Sequence, residues 1–188
     1  MALSSWRTSK DTIARYAKPR FLEGFAVDPG EYALTLIGGK STETVKSEGV
    51  VRRSFFDFFG KTTFIFADGK PRQIYATINA VSADSLEVIA DIVLSYKIEP
   101  NKMQNLANMM SDAKTTLVDS DLERMLKSGG VEQKVKEIAG QHNGYELQSK
   151  AKTLDVLQAE YFTYGIRIER CTLNWRYTND VLIQIEIK

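Results

Sequence analysis

The chain has 188 residues, 43% hydrophobic and 26% charged, with a formal net charge of +1, which describes a globular protein able to bury its own core. Near neutrality argues against a nucleic-acid binder that works through its whole surface. One cysteine, Cys171, and one histidine, His142, exclude an intrachain disulfide framework and a Cys/His zinc site within one chain.

The charge is unevenly spread at the start. Arg7, Lys10, Arg15, Lys18 and Arg20 face only Asp11 in the first 20 residues. Residues 1–22 therefore read as a basic leader that can meet anionic lipid or nucleic acid, or equally as a frayed, solvated terminus, with Trp6, Ile13, Tyr16 and Ala17 on a weak helical face. Asp28-Pro29-Gly30 is a turn signal, and Tyr32–Ile37 alternates as a strand. Gly38-Gly39 then leads into Thr42–Lys46, which predicts a β-hairpin. After a turn at 47–49 comes Arg52-Arg53, the aromatic run Phe55-Phe56-Asp57-Phe58-Phe59, and Lys61. A short strand over Thr62–Ala67 ends at Asp68-Gly69.

Gln73–Ser82 and Leu86–Ile98 both alternate without a break, and the short link between them predicts a long antiparallel hairpin. Pro100 ends that pattern and helical spacing begins. Met103, Leu106, Ala107 and Met110 predict a first helix, and Val118, Leu122, Met125 and Leu126 a second, capped by Ser111 or Asp112 and stopped at Gly129-Gly130. Val131, Val135, Ile138 and Ala139 predict a third, ending at Gly140. Glu146–Tyr164 reads as the longest helix, with Gly165 as its C′ residue. Ile166–Trp175 and Val181–Ile187 return to strand alternation. Strands, then helices, then strands predict an α+β fold: an antiparallel or mixed sheet with a helical segment between the central hairpin and the closing strands.

Few residues carry chemistry. His142 lies in a polar loop, and Cys171 sits within a strand as a small core residue. Gly38-Gly39-Lys40-Ser41 lacks the first glycine of a phosphate loop and its strand–helix context. Carboxylates pair with neighbouring cations on helix faces, as in Glu132 and Lys136. No catalytic residue, cofactor site or metal site is expected. The phenylalanine run has three readings: an aromatic corner of the core, a membrane-interface loop flanked by cations, and a protein-binding patch. No segment approaches the roughly 18 apolar residues of a membrane span, and the start lacks an apolar signal region. A cytoplasmic protein is expected, peripheral to the inner face of a membrane.

Four segments together resemble the SPFH (band 7) superfamily of stomatins, prohibitins and flotillins. They are VDPGEYALTLI at Val27–Ile37, AVSADSLEVIADIVLSYKIEP at Ala80–Pro100, the predicted helices Met103–Leu126 and Val131–Ala139, and YGIRIERCTLNW at Tyr164–Trp175. The second segment is similar to the family's T-x-D-G-x-x-V-x-V-x-V-x-Y-x-I-x-D-P stretch, with Ser85 where glycine is common and Glu99 where aspartate is common. The resemblance implies a leader over 1–22 and an SPFH-like domain over 23–188. It also implies a non-enzymatic scaffold that lies against a membrane and self-associates. No apolar span precedes the domain and no long coiled coil follows Trp175, so an excised domain or a short soluble member is expected. The predicted membrane contacts are Trp6, Arg7, Lys10, Arg15, Arg52, Arg53, Phe55, Phe56, Phe58 and Phe59. Expected partners are further copies of the chain, an anionic membrane surface and a protein partner, with no nucleic acid. The alternative is a soluble adaptor, or an assembly or phage structural subunit, with no lipid role.

Overall fold

The computed structural model describes residues 3–53, 57, 59–110, 113–128, 130–148 and 163–178. The fold is α+β, with mostly antiparallel sheets and few helices. The chain divides into two compact units. One holds Met1–Arg72, Tyr96–Asp121 and Gln158–Ile168; the other holds Gln73–Ser95, Leu122–Leu157 and Glu169–Lys188.

The first unit is built on strands β1 (Thr12–Ala17), β2 (Gly24–Val27), β3 (Glu31–Ile37), β4 (Lys40–Lys46), β5 (Gly49–Arg52) and β6 (Thr62–Asp68). The predicted hairpin at 31–46 forms as β3 and β4. All seven residues of β6 are buried, as expected of a strand covered on both faces. It lies in the middle of a five-stranded sheet ordered β4-β3-β6-β1-β9, where β9 is Thr116–Val118. β2 and β5 form a separate pair, with Phe25 opposite Val51. Phe25 meets Phe64 edge-on at 6.2 Å and Phe66 at 5.1 Å, so the small pair packs on the large sheet through aromatic rings.

The helical leader is overturned. Residues 12–17 are strand β1, antiparallel to β6 on one side and β9 on the other. A weak helical stripe cannot compete with two ladders that satisfy the backbone along both edges. The helix expected after Pro100 is a 3-10 helix over Pro100–Met109. Its buried residues, Met103 and Leu106, are three apart, a spacing that suits the tighter period as well as the α period. Val118 belongs to β9 and not to the second helix, which is α1 (Asp119–Leu126). Asp121 accepts the Val118 N–H at 3.1 Å, closing the helix start in half of a capping box.

Two glycines here are required by space. A Cβ on Gly69 would lie 2.1 Å from the Tyr32 ring, in the turn where the Gly69 N–H donates to the Gly30 carbonyl at 2.9 Å. Gly165 has φ of +81°, and its Cβ would lie 2.5 Å from the Lys102 carbonyl oxygen.

β7 (Arg72–Val81) and β8 (Glu87–Ile98), the predicted long hairpin, lie in a sheet ordered β10-β8-β7 with β10 at Ile166–Tyr177; the second unit holds these strands except Arg72, Tyr96–Ile98 and 166–168, which belong to the first. Burial alternates strictly along β7, with Ile74, Ala76, Ile78 and Ala80 inward. α2 (Gly130–Gly140) buries Val131, Val135 and Ala139, and α3 (Gly144–Gln148) buries Leu147. Cys171 is buried in β10, as expected. The hairpin turn is held by Ser82 and Asp84. Asp84 accepts from the Gly144 N–H at 3.0 Å and from the Ser82 hydroxyl. Those two bonds, Ser82 first, hold its carboxyl below the usual range. Most of the predicted helix Glu146–Tyr164 and the predicted strand Val181–Ile187 lie outside the described residues.

Candidate interaction surface

Two aromatic-and-cation segments were expected at a membrane, and the fold treats them oppositely. The first is Trp6–Arg15. Trp6 is 1% exposed. Its ring stacks on Phe66 at 5.7 Å, and its Nε1–H donates to Glu31 Oε2 at 2.6 Å. Arg7 lies over that ring at 4.7 Å, donates from Nε to Glu31 Oε1 at 2.8 Å, and pairs with Asp68 at 3.1 Å. Burial opposes the Arg7 charge, but the bonds to Glu31 and Asp68 outweigh it and raise its pKa above the ordinary value. Arg15 donates to the Trp6 carbonyl at 3.1 Å. Lys10 is exposed, and its carbonyl accepts from Arg72 at 3.3 Å. Trp6 is thus a core residue, and Arg7, partly exposed, is tied to Glu31 and Asp68.

The network continues past Asp68. Arg72 donates to Asp68 Oδ2 at 3.0 Å and pairs with Asp119. Tyr96 donates to the other Asp119 oxygen at 2.7 Å. Desolvation dominates the raised pKa of the Tyr96 phenol, and the bond to Asp119 adds to it. A continuous chain therefore runs Trp6–Glu31–Arg7–Asp68–Arg72–Asp119–Tyr96. Three carboxylates share two guanidiniums, and each polar tip is spent on another. Sequence reasoning missed Glu31, Asp68, Arg72, Asp119 and Tyr96. The available signal was weak: Glu31 and Asp68 are charges at the ends of otherwise apolar strands, paired opposite each other between β3 and β6.

The second segment is the connection from β5 to β6. Arg52 is exposed on β5. Arg53 pairs with Asp57 at 3.2 Å and also donates to its carbonyl. Asp57 accepts from the Lys61 N–H at 2.9 Å and the Thr62 N–H at 2.8 Å. Hydrogen bonds from Thr62 and Lys61 lower its pKa to about 2. Phe59 is 86% exposed, with Lys61 Nζ 5.7 Å from its ring centre. Phe55, Phe56 and Phe58 lie outside the described residues. Thus Arg53, Phe59 and Lys61 come together at one loop.

No helix among the described residues is long and apolar enough to cross a membrane. Compared with known proteins, the chain matches no family model and has no significant match among curated proteins.

Proposed function

We propose that this chain is a non-enzymatic scaffold, SPFH-like in fold, that lies against an anionic membrane surface and self-associates. The observation that carries the membrane contact is Phe59, a large aromatic side chain left 86% exposed beside Lys61 on a loop braced by Asp57. An aromatic ring with adjacent cations suits the headgroup zone, where the ring leaves water and the ammonium meets lipid phosphate. The contact set is narrowed to the loop around Arg53 and Phe59, because Trp6 is in the core and Arg7 is tied to Glu31 and Asp68.

The SPFH-like part is supported by the order of elements: hairpin 73–98, then helices, then the strand at 166–177. It is supported too by Ser85, whose φ of +64° falls where the family pattern favours glycine. The test is flotation of the chain with phosphatidylcholine vesicles containing phosphatidylserine. The wild type is expected to float, and a Phe55→Ser, Phe56→Ser, Phe59→Ser variant to stay in the dense fraction. A wild type that never floats ends the membrane reading.

A second reading is a soluble adaptor. Among the described residues β7 has a strand on one side only, and it exposes Tyr75 and Val81. Such an edge accepts an extended partner strand. A stoichiometric protein complex formed without lipid would favour it.

A further inference from the structure

The strongest unassigned feature is a cleft of about 480 Å³ in the first unit, at the far end of β1. That volume falls within the roughly 300–1,000 Å³ of small-ligand sites. β9 pairs with β1 only as far as Arg15 opposite Thr116, with the Tyr16 N–H donating to the Thr115 carbonyl at 2.8 Å. β1 runs on to Ala17, still paired with β6. Its outer edge therefore passes beyond the end of β9. The chain returns around this edge in a tight turn, where the Glu23 N–H donates to the Arg20 carbonyl at 3.1 Å.

Leu22 in that turn has φ of +61°, a conformation that a branched apolar residue adopts at a cost. Leu22 and its neighbour Phe21 are exposed at 40% and 54%. Strain and exposed apolar surface thus meet at one place. The floor is apolar, with Ala17 and Phe25 both buried.

The walls are cationic. Arg15, Lys18 and Arg20 line the cleft against a single carboxylate, Glu23. Glu23 is already committed to the turn: it accepts from the Arg20 N–H at 2.7 Å and from the Ser4 hydroxyl at 3.4 Å. Arg15 is held by one bond to the Trp6 carbonyl, and a guanidinium has five donors in a planar fork that matches phosphate oxygens. We infer that this cleft binds a phosphate monoester carried on an apolar body. Arg15 and Arg20 hold the phosphate, and the body rests on the Ala17 and Phe25 floor between them. The site shares no residue with the loop around Phe59. A soluble ester and a lipid headgroup share this chemistry.

The test is a nuclear magnetic resonance titration of the full ¹⁵N-labelled chain with phenyl phosphate, alongside sedimentation with phosphatidylcholine vesicles containing phosphatidic acid. The expected result is saturable shifts confined to residues 15–25 and 115. Arg20→Gln and Arg15→Gln should each weaken binding about tenfold or more, while Arg52→Gln should not. Arg20→Gln keeps the test decisive if Arg15→Gln unfolds, since the Arg20 side chain is exposed. Phenyl phosphate binding that fails in these variants assigns a soluble ester. Vesicle binding lost in the same variants and displaced by phenyl phosphate assigns a headgroup. Absence of saturable binding in both arms, or binding unchanged in both arginine variants, overturns the site. Phe59→Ser should leave the titration unchanged, which separates failure here from failure of the membrane reading.

Discussion

Trp6–Arg15 and Arg53–Lys61 each set aromatic side chains among cations, and the fates of Trp6 and Phe59 are opposite. What differs is the supply of acceptors. Around Trp6 and Arg7, the strands β3 and β6 bring Glu31 and Asp68 to within hydrogen-bond distance. Aromatic ring and guanidinium can then both leave water with their polar groups paired. Around Phe59 the carboxylate of Asp57 is used on Arg53 and on the backbone of Lys61 and Thr62. Phe59 itself stays in solvent beside Lys61. Composition sets what a segment could do; distant partners decide which way it goes.

The largest expected effect breaks the buried side of this comparison. Asp68→Ala removes the carboxylate shared by Arg7 and Arg72. Each partly exposed guanidinium keeps its other carboxylate but loses one charge-assisted bond, about 1.5–3 kcal/mol apiece, which urea unfolding would read as a lower midpoint at unchanged slope. A loss under about 1 kcal/mol would mean that the network is ornamental. Trp6→Phe comes next. It keeps the stack on Phe66 but removes the 2.6 Å donor to Glu31. A loss of about 1–3 kcal/mol is expected, since a buried acceptor is left short of one bond. The exposed side should behave differently. Phe59→Ser is expected to change stability by less than about 0.5 kcal/mol while reducing vesicle flotation. A large destabilisation would place Phe59 in a packed interface and dissolve the contrast.

The parts legible in the sequence are those whose cause is local. The hairpins at 31–46 and 73–98 announce themselves by alternation and by turn residues, and β6 by an apolar run. In the sequence Ser85 is visible only as a departure from glycine; its φ of +64° shows why glycine would suit that position. The parts that were not legible depend on partners far along the chain. β1 is a strand because of residues 64–67 and 116–118. β2 and β5, four residues each, are too short to show a period. The 3-10 helix at 100–109 shares its i, i+3 spacing with an α-helix. For the candidate surface, the exposed loop could be marked from the phenylalanine run. The engagement of Trp6 and Arg7 could not, because Glu31 lies 25 positions from Trp6 and Asp68 61 positions from Arg7.

The smallest expected effect concerns how the exposed loop is held. Asp57 has its pKa lowered to about 2 by hydrogen bonds from Thr62 and Lys61. Its unfolded value is about 3.9. A depressed carboxylate stabilises the fold fully above the unfolded value, and that contribution is lost as pH falls through the folded one. The brace is therefore present at pH 5 and above, weakens below about 4, and is gone once pH drops past about 2. Carbon-detected titration of the Asp57 carboxyl should give a midpoint near 2. Asp57→Asn should remove this step and shift the Lys61 and Thr62 amide resonances at neutral pH. A midpoint near 4 would mean that the loop holding Phe59 is not braced by Asp57. The contrast with Trp6 would then lie between a fixed segment and an unfixed one, and not between two fixed segments with different acceptors.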